Sequence, residues 1–211
     1  MLGSRMLTNI ADYLRSLGDT KLDEDRDEVL QVAREVLLDF GVQRATMSEI
    51  ARRSSVSQAT IYRWFDGKDQ IVRLVMMREA RALLAELQAV LDADAAPDEQ
   101  LIEIAVVIAL RIHEQPLLKR FLRTDPDLIL PKVTLEAGAM LDMGSRFLAA
   151  HIDGLMRSGD VPEGNAAAIA ELLTRAVHSL FLTPSTVIPL DDEVFVREVI
   201  GDVIRALLRL P

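Results

Sequence analysis

At 211 residues, half of them hydrophobic, the chain can form one large domain or a small module joined to a larger one. The absence of cysteine excludes disulfides, thiolate catalysis and cysteine zinc sites. A net charge of −9 argues against nucleic acid as a partner of the whole surface, so any such contact must be local.

Residues 1–24 form a leader. The opening stretch "MLGSRMLTNIADYL" is broken by Arg5 and Asp12, unlike a signal peptide. Leu7, Ile10, Leu14 and Leu17 would share one helical face, so the leader is either an extra helix or a disordered start. Further on, the longest uncharged apolar run, Ile104 to Leu110, is far short of the roughly 20 residues that span a membrane. The expected location is the cytoplasm, with no membrane partner.

From Val29 the apolar residues Val29, Val32, Ala33, Val36, Leu37 and Phe40 keep helical spacing, and Gly41 is a natural stop. Thr46 to Glu49 reads "TMSE", a capping box that opens a short helix through Ile50, Ala51 and Arg53. Ser54 and Ser55 make a turn, Ser57 caps a third helix to Phe65, and Asp66 caps a fourth from near Lys68. Val36, Phe40, Ile50, Val56, Ile61 and Phe65 can share a small core. Two short helices joined by a tight turn make a helix-turn-helix, whose second helix enters a major groove.

Charge and aromatic residues gather on this module. Within 41–68, Arg44, Arg52, Arg53, Arg63 and Lys68 stand against only Glu49 and Asp66. Close charges set the field near such a tip even on an acidic protein. With Ile61 and Phe65 turned inward, Gln58, Thr60, Tyr62 and Arg63 lie on other faces. Gln58 near the helix start can pair with adenine. The Tyr62 hydroxyl and the Trp64 indole N–H can reach phosphates, with Lys68 adding charge. Arg44, Ser48, Ser57 and Ala59 complete the candidate DNA interface with Thr46, while Arg52 and Arg53 read as solvated charges.

The segment "TMSEIARRSSVSQATIYRWFDGKDQIVRLV", after Phe40-Gly41, resembles the DNA-binding domain of the tetracycline-repressor (TetR) family. The matching positions are Gly41, Thr46, Ile50-Ala51, Val56-Ser57, Ala59-Thr60, Tyr62, Phe65 and Lys68. The resemblance implies an all-α homodimer, with DNA read by the third helix and a ligand-binding body behind it. It also implies that Thr46, Gln58, Ala59, Thr60, Tyr62, Trp64 and Lys68 approach DNA. Ser55 departs from the family, where glycine is common, and strains the turn if the backbone there needs positive φ.

The remainder reads as helices too. One follows Lys68 as far as Leu91, and "LIEIAVVIALRIHE" (Leu101–Glu114) is apolar nearly all round, hence central. Then come a short helix "LLKRFL", a connector "DPDLILP", and helices expected over 132–157, Asn165–Leu182 and Glu193–Leu210. Leu87, Leu91, Ile104, Val107, Ile108, His113, Phe121, Met140, Met143, Gly144 and Phe147 are the candidate pocket for a small lipophilic ligand. Gly144 makes room either for that ligand or for a neighbouring helix, and Met140, Met143 and Phe147 are either pocket or plain core. The resemblance implies that the last two helices form the dimer contact, with Leu172, Val177, Phe181, Phe195, Val199 and Val203 the candidates.

No nucleophile elbow, phosphate loop or Glu-x-x-His motif accompanies His113, His151 and His178, so no enzyme, metal or cofactor is expected. The expected organisation is a leader at 1–24, an all-α DNA-binding domain at 25–68 and an effector and dimer domain at 69–211. The expected function is a dimeric transcriptional repressor released from a palindromic operator by the lipophilic ligand. The alternative is a helical carrier or adaptor whose helix-turn-helix is not functional.

Overall fold

The computed structural model describes residues 24–183 and 187–209, so all of the leader but Glu24 lies outside the described residues. All regular structure within them is helical. The helices are α1 (Glu24–Arg44), α2 (Met47–Ser54), α3 (Gln58–Trp64), α4 (Lys68–Asp92) and α5 (Pro97–Glu114). There follow α6 (Pro116–Thr124), α7 (Pro126–Val133), α8 (Gly138–Ser158), α9 (Ala166–Leu182) and α10 (Glu193–Leu208).

The chain divides into two compact units. The head holds the described residues up to Ala82 together with Gln115–Leu135; the body holds Leu83–Glu114 and the described residues from Glu136 onward. The chain therefore passes between them at three points, inside α4, between α5 and α6, and between α7 and α8.

In the head, the 3–4 spacing of α1 buries Val29, Leu30, Ala33, Val36 and Leu37. Ile50 of α2, Ile61 of α3 and Phe65 just past its end close on them, while Phe40 and Val56 are partly buried at the edge. Leu117 and Phe121 of α6 belong to this same core. Phe121 is 2% exposed there, which removes it from the expected body pocket. Gln115 seats α6: its Oε1 accepts from Leu117 N–H at 3.1 Å, and its Nε2 donates to Glu79 at 2.8 Å. Glu79 also pairs with Arg34 of α1 at 2.6 Å.

The tightest polar knot lies where α1 gives way to α2. Gly41 interrupts the helix at φ 77, ψ −178, a region open only to glycine. A Cβ there would overlap the Thr124 hydroxyl and the Asp125 carboxylate. Asp125, between α6 and α7, is 2% exposed. Its Oδ2 accepts from Val42 N–H and its Oδ1 from Gln43 N–H, each at 2.9 Å. Thr124 Oγ1 donates to Oδ2 at 2.6 Å. From the start of α4, Lys68 Nζ donates to the carbonyls of Val42 and Gln43 at 2.8 and 3.3 Å.

Two elements differ from the sequence expectation. The "DPDLILP" connector is helical as α7, because Pro126 occupies the first turn, where its missing N–H costs nothing. Pro131 falls in the last turn, two residues before the helix ends. The next helix starts at Gly138 and not at 132, since Thr134 leaves helical geometry at φ −125, ψ −85.

In the body, α5 is central as expected, burying Leu101, Ile102, Ile104, Ala105, Val106 and Ala109. It packs against α8, α9 and α10, and α8 lies along α9. Gly144 of α8 faces Thr174 of α9, where an added Cβ would stand 3.3 Å from the Thr174 methyl. Its small size accommodates the neighbouring helix. Beside it, Ser145 donates to Glu171 at 3.0 Å.

Three stability measurements follow from this geometry. Ser55 has φ 55, so Ser55→Gly should raise the denaturation midpoint, by about 0.5–1 kcal/mol after the gain in unfolded-chain freedom. Gly41→Ala should lower it by on the order of 3 kcal/mol, from strain and overlap together. Burial acts to raise the Asp125 carboxyl, but bonds from Thr124, Gln43 and Val42 and the Lys68 charge outweigh it and hold it below its ordinary value. Its contribution is therefore complete above the unfolded aspartate value, about 4, and is lost as pH falls through the native value. Denaturation of wild type and Asp125→Asn across pH 5 to 2 should show their stability difference shrinking with acid.

Candidate nucleic-acid interface

Thr46 caps α2, its hydroxyl accepting from Glu49 N–H at 3.2 Å and lying 3.1 Å from Ser48 Oγ. The capping box is half formed, because the Glu49 carboxylate turns to arginines. It accepts from Arg52 at 2.6 and 2.9 Å and from Arg53 at 2.7 Å, and Arg53 also pairs with Asp39 at 2.6 Å. The Arg52 bond first, then that of Arg53, lowers the Glu49 carboxyl to about 2. Two of the five basic side chains of 41–68 are thus spent locally. Within 41–68, Arg44 and Arg63 are the exposed arginines without such a carboxylate partner among the described residues.

The turn to α3 is set by Ser54, whose buried hydroxyl donates to the Ile50 carbonyl at 2.8 Å, and by left-handed Ser55. Ser57 then caps α3, accepting from Thr60 N–H at 3.1 Å while its hydroxyl meets that of Thr60 at 2.8 Å. With Ile61 and Phe65 inside, α3 shows Gln58, Ala59, Tyr62 and Arg63 to solvent, with Ser57 just before them. Tyr62 is 54% exposed. A large aromatic ring held that open on a rigid helix is costly unless something covers it.

Thr60 and Trp64 are half-buried. Trp64 packs on the head core with the Arg26 guanidinium 5.9 Å from its ring centre, so packing accounts for much of its bulk. Lys68 is also half-buried, its ammonium engaged with the α1 end. The structure therefore brings Arg44, Thr46, Ser48, Ser57, Gln58, Ala59, Tyr62 and Arg63 to the exposed surface of the head and gives Trp64 and Lys68 structural work besides. Sequence reading missed Asp125, Leu117 and Phe121 as partners of this module. The one local signal was the Asp-Pro pair at 125–126, which marks a helix start.

Six of the expected pocket residues fall in one cluster of the body. Leu87 and Ile104 are buried in the body core, with Leu91, Val107, Ile108 and Phe147 packed around them. His113, Met143 and Gly144 are half-buried, and Met140 is exposed. An open cleft of about 840 Å³ in the body has other walls, including Val90, Ile102, Glu103, Arg197 and Arg205. His113, His151 and His178 sit on three helices, and among the described residues no three His, Asp or Glu converge as metal ligands would. Burial pushes the His151 imidazole down, against a bond to Pro97. Of the dimer candidates, Leu172, Phe195 and Val203 are exposed, and Val177, Phe181 and Val199 half-buried.

Comparison with known proteins converges on this module. Residues 29–75 match the family model of bacterial regulatory proteins, tetR family. An uncharacterised HTH-type transcriptional regulator of Mycobacterium bovis is 30% identical over 145 residues, 69% of this chain and 74% of that protein. The HTH-type transcriptional repressor KstR2 of Mycolicibacterium smegmatis is 32% identical over 76 residues, 36% of this chain and 37% of its own. Among solved structures, a transcriptional regulator from Cytophaga hutchinsonii superimposes with a TM-score of 0.67 at 17% identity, covering 89% of this chain and 98% of that one. A fatty acid metabolism regulator from Clostridium perfringens gives 0.55 at 17% identity, with 87% and 98% covered. The all-helical fold, the helix-turn-helix at α2–α3 and these relatives agree: the chain belongs to the tetR family of bacterial transcriptional regulators.

Proposed function

We propose that this DNA-binding regulator is a cytoplasmic homodimeric repressor that leaves a palindromic operator when a small lipophilic ligand enters its body. The observation that carries the DNA reading is α3 itself. Ile61 and Phe65 are buried while Gln58, Tyr62 and Arg63 stand exposed around them. Dimerisation is supported by Leu172 on α9 and Phe195 and Val203 on α10, large apolar side chains left exposed. Repression has a precedent in the relative named as a repressor.

A lipophilic effector is supported by the body core around Leu87, Ile104 and Phe147, where Leu, Ile, Val, Ala and Phe side chains cluster, and by the structural neighbour named for fatty acid metabolism. Moving a population from 99:1 to 1:99 takes about 5.5 kcal/mol of preference for the released state. At about 25 cal/mol per Å², some 220 Å² of newly buried apolar ligand surface supplies that. The signal has three covalent passages to travel: α4 and the chain at either end of α6–α7.

Two experiments test these roles. On duplexes selected from a random pool, Gln58→Ala should relax preference at one base pair, a loss of about 1–3 kcal/mol for the favoured base. Arg63→Ala should weaken every duplex alike and reduce the log–log salt slope by about 0.9. Arg63 is the cleaner phosphate probe, since removing Lys68 would also free the Val42 and Gln43 carbonyls. A carrier with a non-functional helix-turn-helix would enrich no duplex. In the second, fatty acids, acyl thioesters and hydrophobic drugs are titrated into the wild-type complex in a mobility-shift assay. At least one lipophilic series should release DNA with potency rising with chain length, and release by none would remove the effector reading.

A further inference from the structure

We propose that Asp125 is a positioning residue for DNA binding: its carboxylate fixes the α1–α2 connector so that Arg44 and the Thr46 cap meet the duplex in register. The proposal rests on the DNA-binding role of the head. The connector and the last turn of α1 that leads into it, Val42 to Arg44, are short. Val42 is half-buried, Gln43 and Arg44 are exposed, and Ala45 is the one fully buried side chain between Gly41 and Thr46. Ala45 N–H returns to the Gly41 carbonyl at 3.2 Å, but the Gly41 break separates this turn from the rest of α1, so its orientation depends on what grips it from outside.

Asp125 supplies it. One carboxylate takes two consecutive backbone N–H groups, one per oxygen, both at 2.9 Å. A two-point grip of this kind sets the orientation of the peptide planes as well as their distance. The Thr124 hydroxyl, 2.6 Å from Oδ2, steadies the carboxylate, and exclusion from solvent removes competing water. Lys68 holds the carbonyls of the same two residues, so all four backbone polar groups of Val42 and Gln43 are bound by side chains. Arg44 is the next residue. A guanidinium–phosphate pair forms over roughly 2.7–2.9 Å, so the placement of its Cα decides whether it is made. Asparagine at 125 would keep one acceptor but turn an amide N–H₂ toward a backbone N–H.

The test is a double-mutant cycle on a duplex enriched by the wild-type chain from a random pool. Affinity is read by fluorescence anisotropy, and folding by circular dichroism and melting, for wild type, Asp125→Asn, Arg44→Ala and the double variant. Asp125→Asn should be folded at the assay temperature yet bind about tenfold or more weakly, and in the Arg44→Ala background it should cost less than about threefold. Equal losses in both backgrounds, or no loss in the first, would overturn the proposal and leave Asp125 a purely structural residue. If Asp125→Asn melts below the assay temperature, Thr124→Val takes its place: a loss in wild type that vanishes without Arg44 supports the proposal, and an additive loss overturns it. Failure of the wild-type chain to enrich any duplex would overturn the DNA-binding role itself, an outcome visible before any variant is made.

Discussion

One buried carboxylate organises the head. Without Asp125 the N–H groups of Val42 and Gln43 would have no partner in a region where water is largely excluded, and each lost bond to a charged acceptor is worth about 1.5–3 kcal/mol. Gly41 is required because the carboxylate comes so close, and its positive φ turns the next two amides toward it. Lys68 then answers from the opposite side. The end of α1, the start of α4 and the α6–α7 junction meet at this point, and α2 and α3 are hung from it. The apolar core around Val36, Ile61 and Phe121 gives the head its bulk stability, but it is non-directional. The polar knot determines where the connector runs.

Electrostatics follows the same economy. A protein of net charge −9 approaches a polyanion through a small basic surface, and two of the four arginines of 41–68 are already paired. Glu49 engages Arg52 and Arg53, and Asp39 takes the far end of Arg53, whose guanidinium also lies 5.3 Å from the Phe40 ring. These pairs brace α2 on α1 and contribute little to the field that a phosphate meets. Arg44 and Arg63 stand at the two ends of the reading element, one before the α2 cap and one on α3. Few cations in fixed places favour orientation over non-specific attraction.

The local half of this arrangement was legible in the sequence. Helical spacing from Val29 to Phe40, the Thr46 and Ser57 caps and the inward pair Ile61 and Phe65 are short-range signals, each decided within four residues. At Ser55 the sequence pointed to strain only on the condition that the backbone needs positive φ, and the structure supplies that condition at φ 55. What the sequence did not reveal is non-local. Asp125 lies 83 residues from Val42, and nothing near it announces two distant amides. Phe121 read correctly as apolar and inward, but periodicity does not say against what, and it belongs to the head. The stretch "DPDLILP" read as a connector, although the positions of Pro126 and Pro131 let α7 form. Tyr62 and Trp64 looked alike in sequence, whereas one stands open and the other lies half under Arg26.

The most direct test of the Asp125 knot is amide hydrogen exchange at Val42 and Gln43 in the free protein. Both N–H groups follow the break at Gly41 and donate to the Asp125 carboxylate, so their protection reports it. The account predicts exchange as slow as that of core amides such as Leu37, and loss of that protection in Asp125→Asn. Exchange at the rate of an open loop in the wild-type protein would contradict it.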